Sequence, residues 1–312
     1  MSQTVMNQTF SQTFVRIIRK AKTQQSVYLV FAWLALVVIV LTFIALVGQL
    51  LLEGMPRLRA EFFTNFASRH AERAGILAAW VGSLMVIGVT MITALPLALA
   101  TGVYLEEYAP KSKWVLLIEL NIANLASVPS IIYGLLALGV FVYTLGLGQS
   151  VLTAGLTLAL LILPMLIVTT REAIRAVPLS VREAAYALGS TRWQTVRHHV
   201  LPYASPGILT GVILSVSRAL GETAPIITIG ALSYIAFLPP PPSSAEFPFI
   251  NFDWLFAGFT VLPIQMFNWT SRPEAAFAAN AAAAGLVLLV LTLFLNAVAI
   301  YLRQHIRKQM QW

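Results

Sequence analysis

No cysteine occurs anywhere in this chain, which excludes disulfide staples, thiolate metal ligands and a thiol nucleophile. Charge is scarce: Asp, Glu, Lys and Arg make up 10% of the 312 residues, where a soluble domain carries about 25%. Two chemical signatures are missing as well. No G-x-x-x-x-G-K-[ST] run is present to cradle ATP phosphates, and no H-E-x-x-H pair to hold zinc. The chain is therefore expected to be no enzyme in its own right, with no metal and no cofactor of its own.

What the chain has in abundance is apolar sequence. Hydrophobic residues reach 58% and the mean hydropathy is +0.81, above the ~45–50% apolar content of soluble domains. Six apolar runs, near Val27–Leu52, Gly75–Leu105, Leu120–Leu145, Ser150–Thr170, Ser205–Ile235 and Ala279–Leu302, each approach or exceed the roughly 20 residues that span a bilayer. The expected class is an all-α integral membrane protein with six transmembrane helices. Arg16, Arg19, Lys20 and Lys22 precede the first run as in a signal peptide. That run is too long for a cleaved leader and no small-residue cleavage site follows, so it reads as a retained span.

The net charge of +8 points to membrane topology rather than to nucleic acid. With the N-terminus inside, the inner segments hold Arg16, Arg19, Lys20, Lys22, Lys111, Lys113, Arg171, Arg175, Arg182, Arg192, Arg197, Arg303, Arg307 and Lys308. The outer segments hold only Arg57, Arg59, Arg69, Arg73 and Arg272. This excess of basic residues predicts both termini in the cytoplasm, and six spans satisfy that parity. The expected organisation is a cytoplasmic arm at 1–26, a first span at 27–52, an outer loop at 53–74, a core at 75–303 and a cytoplasmic tail at 304–312. The polar arm is expected to be poorly ordered or to lie on the membrane surface. A second outer loop, Ala236–Ala278, opens on the stiff run Pro239–Pro242. Its aromatics, Phe247, Phe249, Phe252, Trp254, Phe256, Phe259, Phe267 and Trp269, read as a belt at the membrane boundary.

Inside the runs, Pro129 with Ser130, Tyr133 and Gly134 interrupts the third, and Pro225 disrupts the fifth one turn after Gly221. Gly207, Gly211, Ser215 and Ser217 form a small-residue face suited to close helix packing. Arg218 is different. A charge in a span costs about 2.5–3.5 kcal/mol on insertion scales and marks a functional-site candidate. Glu222, four residues on, shares its helix face. Two readings stand: an internal ion pair or gate latch that lowers the insertion cost, and an anion contact through the donor fork of the guanidinium, with Glu222 beside it. Ser130, Tyr133 and Thr223 are weaker lining candidates, with packing or backbone satisfaction as their alternative.

Between Arg171 and Tyr203 the chain is basic and amphipathic. Ser180 with Glu183 and Thr191 with Gln194 both fit a capping box, and Gly189 stands where the first helix should end. This predicts two short helices across 180–200 joined by a tight turn, with Val181, Ala184, Ala185 and Leu188 as an apolar stripe. Glu183 is either a partner contact or no more than a cap for its own helix.

Glu183-Ala184-Ala185, then Gly189, then Leu201-Pro202 resembles the EAA loop of ABC importer permeases, with His199 where the pattern has an aliphatic residue. The segments Tyr104–Tyr108, Val128–Gly134, Arg218–Pro225 and Leu262–Trp269 are similar to the phosphate permeases of that family, over roughly Gly75 to Arg303. The resemblance implies the type I ABC importer permease fold, located in the bacterial inner membrane and working by alternating access. It implies an ATP-binding subunit dimer that carries all the hydrolysis, a second permease (or a second copy of this chain) and a periplasmic phosphate-binding protein. Glu183, Ala184, Ala185, Gly189, Arg192 and Trp193 would couple to the ATPase, and Arg218, Glu222, Thr223, Ser130 and Tyr133 would line the substrate pathway. Another oxyanion such as phosphonate or molybdate, and a secondary transporter, remain the competing readings.

Overall fold

The computed structural model describes residues 2–232, 234–243, 249 and 251–309, with side chains described from Gln25 onward apart from 307 and 309. The expected roles of Arg16, Arg19, Lys20, Lys22, Phe247 and Arg307 lie outside the described side chains. The chain divides into two units, Met1–Leu52 and Glu53–Trp312. The first is nearly all of one helix, α1 (Ser2–Gly54). The helix runs on through 26–27, the expected boundary between the arm and the first span. Neither glycine nor proline occurs from Ser2 to Val47, so nothing stops a helix there, and the arm expected to be poorly ordered or to lie on the membrane surface is helical. In its apolar segment, Gln25–Arg57, none of the most hydrophobic window is buried.

The second unit is built on four long helices: α3 (Leu77–Val103), α6 (Val151–Arg175), α9 (Leu201–Gly221) and α12 (Ala276–Gln309). Apolar side chains do not drive helices together in lipid, so close packing of small residues must do it. The small face of α9 serves this purpose. A side-chain carbon on Gly211 would meet Thr169 of α6, with its Cβ only 2.8 Å away. Ser217 donates to Asn296 Oδ1 of α12 at 2.8 Å. Likewise α3 meets α6 where Thr90 Oγ1 donates to the Gly155 carbonyl at 3.1 Å.

Short helices close the two ends. At one end α2 (Ala60–Thr64) and α11 (Leu262–Thr270) cover α12, with Phe62 and Trp269 buried against Phe277. The expected aromatic belt is thus split. Phe259 and Trp269 are buried and Trp254 packs on the core, whereas Phe249, Phe252, Phe256 and Phe267 are exposed. At the other end lie α7 (Leu179–Ala187) and α8 (Arg192–Thr195), and α8 runs through a π turn, Val196–Val200, directly into α9. The second of the two expected short helices is therefore the first turns of the fifth span.

The third run is not a straight span. It consists of α4 (Lys113–Leu125) and α5 (Ser130–Ala137), which continues in a π turn to Thr144, and the two halves bend by 103°. Five helices are long and apolar enough to cross a membrane, or six if this bent pair counts as one. Beyond α9 the chain breaks again, at Glu222 and Thr223, before the short α10 (Ala224–Thr228). The expected span to Ile235 ends at this break. The described residues are otherwise helical turns and loops without a β-sheet.

Candidate functional site: two helix breaks around Arg218

The break after α9 follows from Pro225. Proline brings no N–H to the Gly221 carbonyl four residues back, and its ring clashes with a continuing helix. Glu222 turns extended at φ −76° and ψ 123°. Arg218, in the last turn of α9, donates from Nε to Glu222 Oε1 at 3.3 Å. The pair is partly open, with side-chain exposures of 34% and 19%. That single, long contact leaves the fork of the guanidinium free: among the described residues the Nη1 and Nη2 groups have no other hydrogen bond or ion pair. This geometry is compatible with both readings of Arg218. Glu222 also lines a narrow cleft with Ser83, Ile87, Leu158 and Pro263.

The other break is packed onto this one. Gly134 of α5 sits so close to α10 that a Cβ there would lie 2.6 Å from Pro225 Cα and would collide with Thr228 Oγ1. Tyr133, the preceding residue, is within electrostatic reach of Arg218. Its hydroxyl is already engaged, donating to the Leu125 carbonyl at 2.8 Å across the bend between α4 and α5. Tyr133 thus bonds the backbone of the break. Ser130 starts α5, half-buried, and Thr223 precedes α10, also half-buried. Arg218, Glu222, Thr223 and Tyr133 are gathered around the joined breaks, with Ser130 one turn further along.

The loop at the far end keeps part of its expected geometry. Thr191 and Gln194 form a full capping box at the start of α8. Gly189 has φ +82°, its N–H donates to Tyr186 O (2.9 Å), and Ser190 N–H donates to Ala185 O (3.1 Å), a Schellman stop. The first expected capping box does not form. Pro178 is the N-cap of α7 and Ser180 lies inside the helix, so Glu183 is exposed without a capping role. The apolar stripe divides by face. Ala185 is buried and Val181 packs inward, while Ala184 is exposed and Leu188 is 88% exposed. Trp193 is exposed as well, and Arg192 stacks its guanidinium over Tyr108, 5.1 Å from the ring centre.

Sequence reasoning passed over the polar cluster beneath this loop. Arg182 of α7 donates from Nη2 (2.8 Å) and Nε (3.1 Å) to Glu107 Oε1. It also donates to the carbonyls of Val177 (2.7 Å) and Ile174 (3.0 Å) at the end of α6. Next to it, Glu106 takes Arg175 at 2.7 Å and Arg171 at 2.9 Å. Arg171 reaches on to Glu119 of α4 at 2.7 Å. The spacing of Arg171 and Arg175, one helix face at a run's end, was the available signal. Among the described residues no three His, Asp or Glu side chains converge as a metal site.

Residues 94–310 match the family described as binding-protein-dependent transport system inner membrane component. The chain is 33% identical over 259 residues to the probable ABC transporter permease protein YqgI of Bacillus subtilis, covering 81% of this chain and 87% of that protein. It is 34% identical over 229 residues to the phosphate transport system permease protein PstA 1 of Mycobacterium tuberculosis, covering 73% and 70%. Among solved structures, a bacterial alginate ABC transporter bound to its periplasmic protein aligns with TM-score 0.62 at 14% identity, over 89% of this chain and 95% of the other. The methionine ABC transporter MetNI in an inward-facing form aligns with TM-score 0.53 at 17% identity, over 72% and 91%.

Proposed function

The chain belongs to the family of binding-protein-dependent transport system inner membrane components, and from that premise we propose that it is the permease subunit of an ATP-driven phosphate importer. Its relatives named as phosphate permeases support the substrate. The observation that carries the reading is the guanidinium of Arg218, with its Nη groups unpaired at a helix break inside an apolar unit. Such discontinuous helices recur at the substrate sites of membrane transporters.

The protein is a multi-pass inner-membrane protein. In our reading both termini face the cytoplasm, which puts α7, Gly189 and α8 on that side as the docking surface for an ATPase dimer, PstB. A second permease, PstC, supplies the other wall of the pathway, and a periplasmic receptor, PstS, delivers phosphate. ATP-driven closure of the ATPase dimer draws the docking helices together and opens the pathway outward, and hydrolysis resets it. At the pathway Arg218 binds the anion through two parallel N–H contacts. Glu222, a carboxylate, accepts a hydrogen bond from the P–OH that hydrogen phosphate carries and sulfate lacks. No catalytic step takes place on this chain.

Replacing Arg218 tests the reading. Arg218→Ala should lower ATP-dependent phosphate uptake by more than about 100-fold, the loss of a charge-assisted bidentate contact of roughly 3 kcal/mol, with the complex still assembled. Uptake at the wild-type rate takes Arg218 out of the pathway. Unlabelled phosphonate or molybdate outcompeting phosphate in wild-type vesicles would replace phosphate by another oxyanion.

A further inference from the structure

We propose that Glu106 and Glu107 form a transmission joint that links the docking helix α7 to α4, and hence to the broken helices around Arg218, with Glu119–Arg171 as its pore-side arm. The inference rests on the reading of α7 as an ATPase docking element.

Consider first what holds α7. Of its nine residues only Ala185 is buried, and Leu179 is 71% exposed. Apolar burial alone is a weak mount for a helix that must transmit force. Arg182 supplies the rest: it grips Glu107 through two nitrogens and also donates to the carbonyls of Ile174, in the last turn of α6, and Val177, just beyond it. The side chains of Arg182 and Glu107 are 14% and 7% exposed, so water screens the pair little. A buried, multiply bonded pair of this kind fixes geometry more than it adds stability. Glu107 sits on the π turn Tyr104–Tyr108 that ends α3. When α7 moves, that turn must move with it.

Glu106 is the neighbouring residue on the same turn, and it is held from the other direction. Arg171 and Arg175, one turn apart on α6, both donate to it. Arg171 then bridges to Glu119 at 2.7 Å. On α4 that carboxylate lies midway along a single stripe, Val115–Glu119–Ile122, at the i, i+4, i+7 spacing of one helix face. Val115 and Ile122 lean on the core, yet no residue of α4 is buried. The helix is lightly seated, and its ion pair is the directional contact that ties it to α6. Past the bend α4 becomes α5, which packs on α10 beside Arg218. Three arginines and three glutamates thus link the docking face to α4, through the neighbouring Glu106 and Glu107 and the firmly buried α6, and the two elements at the ends of the link, α7 and α4, are themselves only lightly anchored. Coupling of this kind needs a contiguous physical connection with two arrangements of its parts. Release and re-formation of Glu119–Arg171 provides them.

The test uses the full importer (this chain, its ATPase, second permease and receptor) in lipid vesicles, with phosphate uptake and ATP hydrolysis measured in the same sample. Glu119→Gln and Glu107→Gln should each keep receptor-stimulated hydrolysis within about twofold while phosphate taken up per ATP falls at least tenfold. A carboxylate that merely holds the fold would lower uptake and hydrolysis in proportion, and that result overturns the proposal. So does a wild-type ratio. If Glu107→Gln fails to accumulate because its pair is buried, Glu119→Gln decides alone, since its carboxylate is 29% exposed. A wild-type complex with no ATP-dependent phosphate uptake would remove the importer reading itself. A transporting wild type with fully coupled Gln variants removes only the joint.

Discussion

Gly134→Ala should break the seam between the two helix breaks, although alanine is the better helix former. The added Cβ would stand 2.6 Å from Pro225 Cα and 2.8 Å from the Pro225 carbonyl oxygen, and would collide with Thr228 Oγ1. The threonine could rotate away only by giving up its 2.8 Å hydrogen bond to Pro225 O. The proline atoms are backbone and cannot rotate away at all. Relief therefore requires α5 and α10 to separate by about 1 Å, to reach ordinary carbon contact at roughly 3.5–4.0 Å. Overpacking of this kind costs about 1–3 kcal/mol. The helix preference of alanine over glycine returns about 0.5–1 kcal/mol, so the net sign is destabilising. The functional loss should be larger than the stability loss, because a displacement of about 1 Å at a binding site can cost on the order of 100-fold. Uptake of labelled phosphate and thermal melting of the purified complex measure the two effects separately. Gly139→Ala is the matched control, on the same run with nothing within 4 Å of its missing Cβ. If Gly134→Ala transports and melts like Gly139→Ala, the close approach of the two breaks has no part in transport.

Two further outcomes concern the docking face. Gly189 holds φ +82°, a conformation that costs an alanine about 1–2 kcal/mol; Gly189→Ala should loosen the α7–α8 turn and weaken retention of the ATPase subunit in a pull-down, while Gly189→Asn should lose less. Equal retention by both variants and wild type would show that the turn is not needed for docking. Leu188→Ser, at a side chain 88% exposed, should leave the melting of the isolated chain unchanged but lower affinity for the ATPase subunit about tenfold or more, as burial of a leucine is worth roughly 1.5–3 kcal/mol. An unchanged titration excludes Leu188 from the interface.

The helices and their class were legible because apolar runs in lipid leave the backbone one solution, the helix. Local stop signals were legible too: Gly189, Pro225 and the Thr191–Gln194 box each act within a single turn. The bend of the third run was visible as a proline but not as a 103° reversal, since its size depends on what α5 packs against. The false capping box at Ser180 has a simple cause. Pro178 takes the N-cap position itself, and the helix starts two residues earlier than the serine pattern suggests. The ion pairs of Arg171, Arg175 and Arg182 were counted as topology signals because nothing in one sequence says that residues 65 to 75 positions apart meet. The same limit hid the burial of Phe259 and Trp269.

Arg218 and the helix breaks depend on each other. In an unbroken helix every carbonyl before the last turn is bonded, and an arginine side chain would meet only apolar neighbours, at a cost of about 2.5–3.5 kcal/mol or more. Pro225 changes that by freeing the Gly221 carbonyl and turning Glu222 out of the helix, so that polar groups share the space with the guanidinium. The break in turn would be unfavourable in bare hydrocarbon, because irregular backbone is tolerated at membrane depth only inside protein or along a polar cavity. Packing α5 against α10 supplies the protein wall, and Tyr133 bonds the carbonyl of Leu125 at the second break. Glu222 offsets part of the charge through one long contact of 3.3 Å, weak enough to be displaced. A tight, bidentate pair would neutralise the arginine and leave nothing for an anion to bind. The loose pair keeps the charge tolerable in the membrane and its Nη groups open, as the proposed anion contact requires.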